Sequence, residues 1–117
     1  MLYSDDEYKL FSEELEGCSI GTVWSAMRAD NFDKEILSYE EKKDYFLELL
    51  QLLIEDGKIK LASHGKFLTG STEEQINRFR EALPQQEEGL YHDLWFTFEE
   101  CPGGIVWIHE NGYEDWT

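Results

Sequence analysis

Residues 38–56 constrain the fold more than any other stretch of the chain. Ser38 and Glu41 stand three apart. At that spacing a serine side chain accepts the backbone N–H of the glutamate, whose carboxylate reaches back to the serine N–H. Phe46, Leu49, Leu50 and Leu53 then repeat on one helical face, while Tyr45, Leu47, Leu52 and Ile54 make the second half apolar nearly all round. A helix of that kind is stable in water only when other elements cover it on several sides. Asp56-Gly57 ends it. The rest of the chain must therefore wrap around a central helix, and 117 residues suffice for one such domain, spanning 1–117.

The wrapping elements have their own signals. Ser4 and Glu7 form a second capping box, with Tyr8, Phe11 and Leu15 at helical spacing and Gly17 to stop them. Ser19 can cap a helix whose Ile20, Val23, Trp24 and Met27 share one face, and residues 30–35 read as a polar connection. From Lys58 to Leu68 apolar and lysine positions alternate around Ser63-His64-Gly65, which predicts a small hairpin. Ser71 and Glu74 make a third capping box before Ile76, Phe79 and Leu83, with Pro84 beyond the end. Residues 90–100 fit a helix carrying Leu90, Tyr91, Leu94, Trp95 and Phe98 on one face and leaving Phe96 outside. A strand is the competing reading. Asn111-Gly112 is the pair favoured by two-residue type I′ hairpins, which sets Trp107 opposite Trp116 and His109 opposite Glu114. The expected class is α+β: four or five helices packed with a small antiparallel sheet made of two hairpins.

Charge limits the partners. With 26 acidic and 10 basic residues the net charge is −16. Such a chain repels nucleic acid and anionic membranes, because both bind through Lys and Arg. After Arg80 there is no lysine or arginine, yet residues 84–117 hold eight acids and seven aromatics. Acid mixed with large rings implies a folded negative surface rather than a disordered tail, and such a surface complements a positive one. The lysine-bearing hairpin follows a helix as the wing of a winged helix would, but Lys58, Lys60 and Lys66 are too few against −16 for a DNA binder.

No catalytic constellation is present. His64, His92 and His109 lie at no metal-ligand spacing, and Gly17-Cys18-Ser19-Ile20-Gly21 resembles a nucleophile elbow only superficially. Paired carboxylates such as Glu13-Glu14, Glu40-Glu41, Glu73-Glu74 and Glu99-Glu100 read as solvated faces. The expectation is a non-enzyme with no cofactor and no metal. Cys18 and Cys101 form no CxxC, and the N-terminus MLYSDDEY lacks the basic and apolar regions of a signal peptide. A cytoplasmic protein with two free thiols is expected.

Several blocks together carry a resemblance. They are Glu16-Gly17-Cys18-Ser19-Ile20-Gly21, Gly57-Lys58-Ile59-Lys60-Leu61-Ala62, Gly65-Lys66-Phe67-Leu68, Gly70-Ser71 with Glu74-Gln75-Ile76, and Cys101-Pro102-Gly103-Gly104-Ile105-Val106-Trp107-Ile108. The chain resembles the small bacterial family catalogued as domain of unknown function 596, and the last block is the most specific. That family has no established activity and no catalytic residues to transfer. By size and charge the chain is also similar to the immunity proteins of contact-dependent growth inhibition systems, which bind and block an imported toxic domain, commonly a basic nuclease.

The expected function is accordingly an acidic binding protein whose partner is a basic protein, a cognate toxin domain. The candidate contact residues are Glu99, Glu100, Glu110, Tyr113, Glu114, Asp115 and Trp116, where acids and aromatics are densest. The alternatives are a nucleic-acid-mimicking adaptor for a basic host protein and a small enzyme with a carboxylate pair.

Overall fold

The computed structural model describes residues 1–117. The capping boxes fix the helices. Ser4, Ser38 and Ser71 each accept the N–H three residues on and receive the reciprocal glutamate, opening α1 (Asp5–Glu14), α3 (Tyr39–Glu55) and α4 (Thr72–Ala82). Ser19 caps the short α2 (Ile20–Ser25). Gly17, at φ +85°, ends the turn after α1 in the left-handed region that glycine enters without steric cost.

Helix α3 is the centre, as its apolar circumference requires. Phe46, Leu49, Leu50 and Leu53 are fully buried, and Tyr45 and Leu47 nearly so. Two aromatic groups pack against it. Tyr3 and Phe32 meet Tyr45, with Phe32 stacked on it at 3.9 Å between ring centroids, and Phe11 packs on both of them. Trp24, Phe79 and Phe96 meet Phe46 on the other side. Tyr3 ties the chain's start to this core through an O–H donated to the Tyr45 carbonyl at 2.8 Å. Burial, with Glu48 nearby, holds its phenol far above the ordinary value.

The two hairpins form one antiparallel sheet, ordered β2 (Lys66–Phe67), β1 (Ile59–Ser63), β3 (Gly104–Ile108), β4 (Glu114–Trp116). His64 and Gly65 both have positive φ, as a two-residue type I′ turn needs. β1 is thus paired on both sides and is not a free wing. Ile59, Leu61, Ile105 and Trp107 belong to the same core as the helices. Gly103 explains the glycine pair before β3: a Cβ there would lie 2.6 Å from the Ala62 carbonyl oxygen. The fold is α+β with four α-helices.

Three expectations change. Residues 90–100 form neither helix nor strand but two single 3-10 turns, Glu87–Leu90 and Leu94–Thr97, joined by Tyr91, His92 and Asp93 in the left-handed region. The cause is packing. Leu90 and Trp95 are buried and Phe96 packs on Trp24 and Phe46. At about 100° per residue an α-helix would spread those three side chains around its circumference. The left-handed run turns all three inward and leaves Tyr91, Leu94 and Phe98 exposed.

The second change is the register of the last hairpin. Val106 faces Trp116, Trp107 faces Asp115 and Ile108 faces Glu114. The loop has three residues, Glu110-Asn111-Gly112, closed by His109 N–H donating across it to the Tyr113 carbonyl at 2.9 Å. A type I′ turn needs positive φ at both central residues, and here only Gly112 has it. The Asn111 side-chain oxygen instead accepts the Tyr113 N–H at 3.0 Å, an Asx turn that takes one more residue into the loop. One residue of slip moves every β4 side chain to the other face. The third change is Phe32, a core ring in the connection read as polar.

The capping boxes predict a specific pH response. Hydrogen bonds from Ser38 and from Ser71 hold the Glu41 and Glu74 carboxyls below the usual glutamate range. A depressed folded pKa stabilises the native state above the unfolded value, and the contribution disappears as pH falls through the folded one. Glu41→Gln with Glu74→Gln keeps an acceptor but removes the charges. Denaturant titrations should find the native chain more stable than this variant at pH 7, the difference closing well below pH 4.5. A gap that widens in acid would contradict the assignment.

Candidate protein-binding surface

No Asp or Glu is buried anywhere in the protein. Six of the acids pair with Lys or Arg: Asp30, Glu40, Glu41, Asp44, Asp56 and Glu87. From residue 84 onward only Glu87 is neutralised in this way, by Lys42 at 2.9 Å. The C-terminal third is therefore a solvated anionic surface, and its acids lie where a partner can reach them.

The hairpin β3–β4 is clipped to the turn between α1 and α2. Trp107 is buried, and its Nε1–H donates to the Cys18 carbonyl at 2.8 Å. His109 stands between Glu16 at 3.3 Å and Asp115 at 3.6 Å, not opposite Glu114. Cys18 and Gly17 thus serve as the seat of the hairpin, a geometric reason for the EGCSIG block. Cys101 is buried, with its Sγ–H directed to the Gly103 carbonyl at 3.4 Å, and burial raises its pKa. Both cysteines are free, and the second is a packing residue rather than a reactive thiol.

The sequence candidates divide between the two ends of the sheet. Glu99 and Glu100 are exposed beside the β1–β2 turn, where Glu99 lies 3.4 Å from His64 Nε2. Glu110 and Tyr113 sit at the opposite end, separated from them by the length of β3, roughly 15 Å. They do not form one patch. Glu114 is exposed on the edge strand. Asp115 is half-buried and turned toward His109 and Gly17. Trp116 stacks on Phe67 at 5.2 Å, over the outer face of the sheet, with Lys60 4.8 Å above the Phe67 ring. Val106, opposite Trp116 in the ladder, is only 1% exposed. Trp116 therefore covers the sheet, and Trp116→Ala is expected to cost about 1–2 kcal/mol in unfolding free energy. An unchanged midpoint in urea would refute that role.

Sequence reasoning missed the exposed residues of the irregular segment, Tyr91, Leu94 and Phe98. The available signal was His92-Asp93, two residue types enriched at positive φ. A shallow groove of about 280 Å³ adjoins Phe98 and Glu99 and is floored by Gly103 and Gly104. Nowhere do three His, Cys, Asp or Glu side chains converge as a metal site requires. No helix is long and apolar enough to cross a membrane.

Comparison with known proteins agrees with the fold. A solved structure from Neisseria meningitidis, described as an uncharacterized protein conserved in bacteria, is similar with a TM-score of 0.77 and 27% identity. The similarity covers 95% of this chain and 87% of that one. No curated protein matches. The sequence model for "Protein of unknown function, DUF596" matches residues 54–117. That span contains the GKIKLA and CPGGIVWI blocks, and with them both inner strands of the sheet and the glycine pair that lets them approach. Covering more than half of the sequence, this match makes the chain a member of the DUF596 family.

Proposed function

We propose that the protein is an acidic binding protein that neutralises a basic toxin domain, of the nuclease type, as the immunity protein of a contact-dependent growth inhibition system, acting in the cytoplasm. The observation that carries this reading is the C-terminal third, with eight acids, no lysine or arginine and no buried carboxylate. Such a surface steers a positive partner and competes for a cleft built to hold phosphates. None of these carboxylates is buried, and reachable acids favour binding over a carboxylate pair enclosed in a catalytic cleft. Glu99, Glu100, Glu110, Tyr113 and Glu114 are free to contact the partner, whereas Asp115 and Trp116 act mainly by holding the hairpin in place.

The test is co-expression. The product of the reading frame just upstream is expressed with and without this protein, and growth is followed. The reading expects toxicity alone and rescue together. A non-toxic neighbour, or toxicity that co-expression leaves unchanged, would overturn it. Recovery of a basic housekeeping protein in place of a toxin would favour the adaptor reading.

A further inference from the structure

We infer that the partner seats on the irregular segment 87–100, through an apolar patch of Tyr91, Leu94 and Phe98, and that the partner's matching surface combines basic and apolar side chains. This rests on the binding reading above and deepens it by naming the surface and the chemistry it takes.

The three side chains are 61%, 58% and 38% exposed, and the Tyr91 and Phe98 rings lie 5.8 Å apart. No other aromatic ring stacks on the Tyr91–Phe98 pair. Of the other exposed rings of the C-terminal third, Trp116 lies on Phe67, and Tyr113, beside His109, stands at the far end of the sheet, apart from this patch. The same segment supplies Glu88, Asp93, Glu99 and Glu100, all exposed and none paired with a lysine or arginine. Apolar anchors inside a charged rim are the arrangement in which a desolvated centre gives affinity and the rim gives partner choice.

These four acids are balanced by no lysine or arginine, so the complementary surface is basic. The same charge, −16 on each chain, disfavours a second copy as the occupant. Phe98 also borders the groove floored by Gly103 and Gly104, with Glu99 at its edge. A lysine or arginine entering there meets an aromatic ring and a carboxylate together, the two groups that hold a guanidinium or ammonium best. The sheet's outer face, the other exposed aromatic area, carries Lys60 beside Phe67 and is the less anionic of the two.

The test uses two synthetic peptides of equal positive charge: an amphipathic helix with lysine and leucine faces, and an oligolysine. Binding to the intact protein is measured by calorimetry and mapped by amide chemical shifts. The amphipathic peptide should bind about tenfold tighter or better, with shifts concentrated in 87–100. Tyr91→Ser, Leu94→Ser and Phe98→Ser together should abolish that gain and leave oligolysine binding unchanged. If the triple variant does not fold, Leu94→Ser alone should remove part of the gain. Equal affinity for both peptides, a gain that survives the substitutions, or shifts centred on Phe67 and Trp116 would overturn the inference. The outcomes are separable from the co-expression result. Peptide discrimination without rescue keeps this surface and removes the toxin, whereas rescue without discrimination places the contact elsewhere.

Discussion

Replacing Trp107 by alanine is expected to lower the unfolding free energy by about 3–5 kcal/mol, a large fraction of what a domain of this size possesses. The indole is 2% exposed and is among the largest fully enclosed side chains in the protein. It fills the space between β3 and the helices, and its Nε1–H satisfies the Cys18 carbonyl at 2.8 Å. Alanine would open a cavity and release the hairpin from the α1–α2 turn at once. Trp107→Phe separates the two effects. Most of the volume stays, the carbonyl loses its donor, and the cost should be about 1 kcal/mol. Far-UV circular dichroism in denaturant checks both, since the fluorescence of the removed indole is not needed. A Trp107→Ala variant within about 1 kcal/mol of the native chain would mean that the hairpin contributes little to the fold.

Reversing two charges beside the groove should have the largest effect on binding. Glu99→Lys with Glu100→Lys is expected to slow association with the upstream gene product by about 10–100-fold at low salt. Both residues are exposed, and Glu99's contact with His64 is between two solvated groups, so the fold should tolerate the change. The loss should shrink in salt, because the screening length falls from about 10 Å at 0.1 M to about 3 Å at 1 M. Stopped-flow mixing at several ionic strengths reads this directly. A defect of the same size at all salt concentrations would indicate a lost short-range contact in place of steering.

What the sequence reveals follows from how local each cause is. The three capping boxes are complete within four residues, and each opens a helix where its serine stands. The fully apolar second half of α3 places it at the centre, because no other position covers Leu47 and Phe46 at once. Residues 90–100 were not legible because their conformation answers a distant demand. Phe96 must reach Trp24 and Phe46, and helical periodicity in Leu90, Leu94 and Phe98 carries no trace of that. Phe32 is hidden for the same reason: a single ring among polar neighbours has no period, and its place is set by stacking on Tyr45. In the last hairpin the turn residues were correct and the register was not. Asn111 can serve a type I′ turn through its backbone or an Asx turn through its side chain, and the sequence Asn-Gly is compatible with both.

The candidate surface divides along the same line. Its charge is compositional and could be read without coordinates. Its shape depends on which rings the core takes. Trp95 and Phe96 go inward, Phe98 stays at the surface, and the one-residue slip of β4 moves Trp116 onto Phe67 and Asp115 toward His109. The proposed contact surface therefore shifts from the last hairpin toward its approach, where acids and exposed apolar side chains lie together.

Binding to a basic partner is read most directly by calorimetric titration of the purified protein against the upstream gene product at about 0.1 M and about 1 M salt. A saturable complex is expected, with an affinity that drops at least tenfold between the two conditions. No binding in either, or binding that salt leaves unchanged, would contradict it.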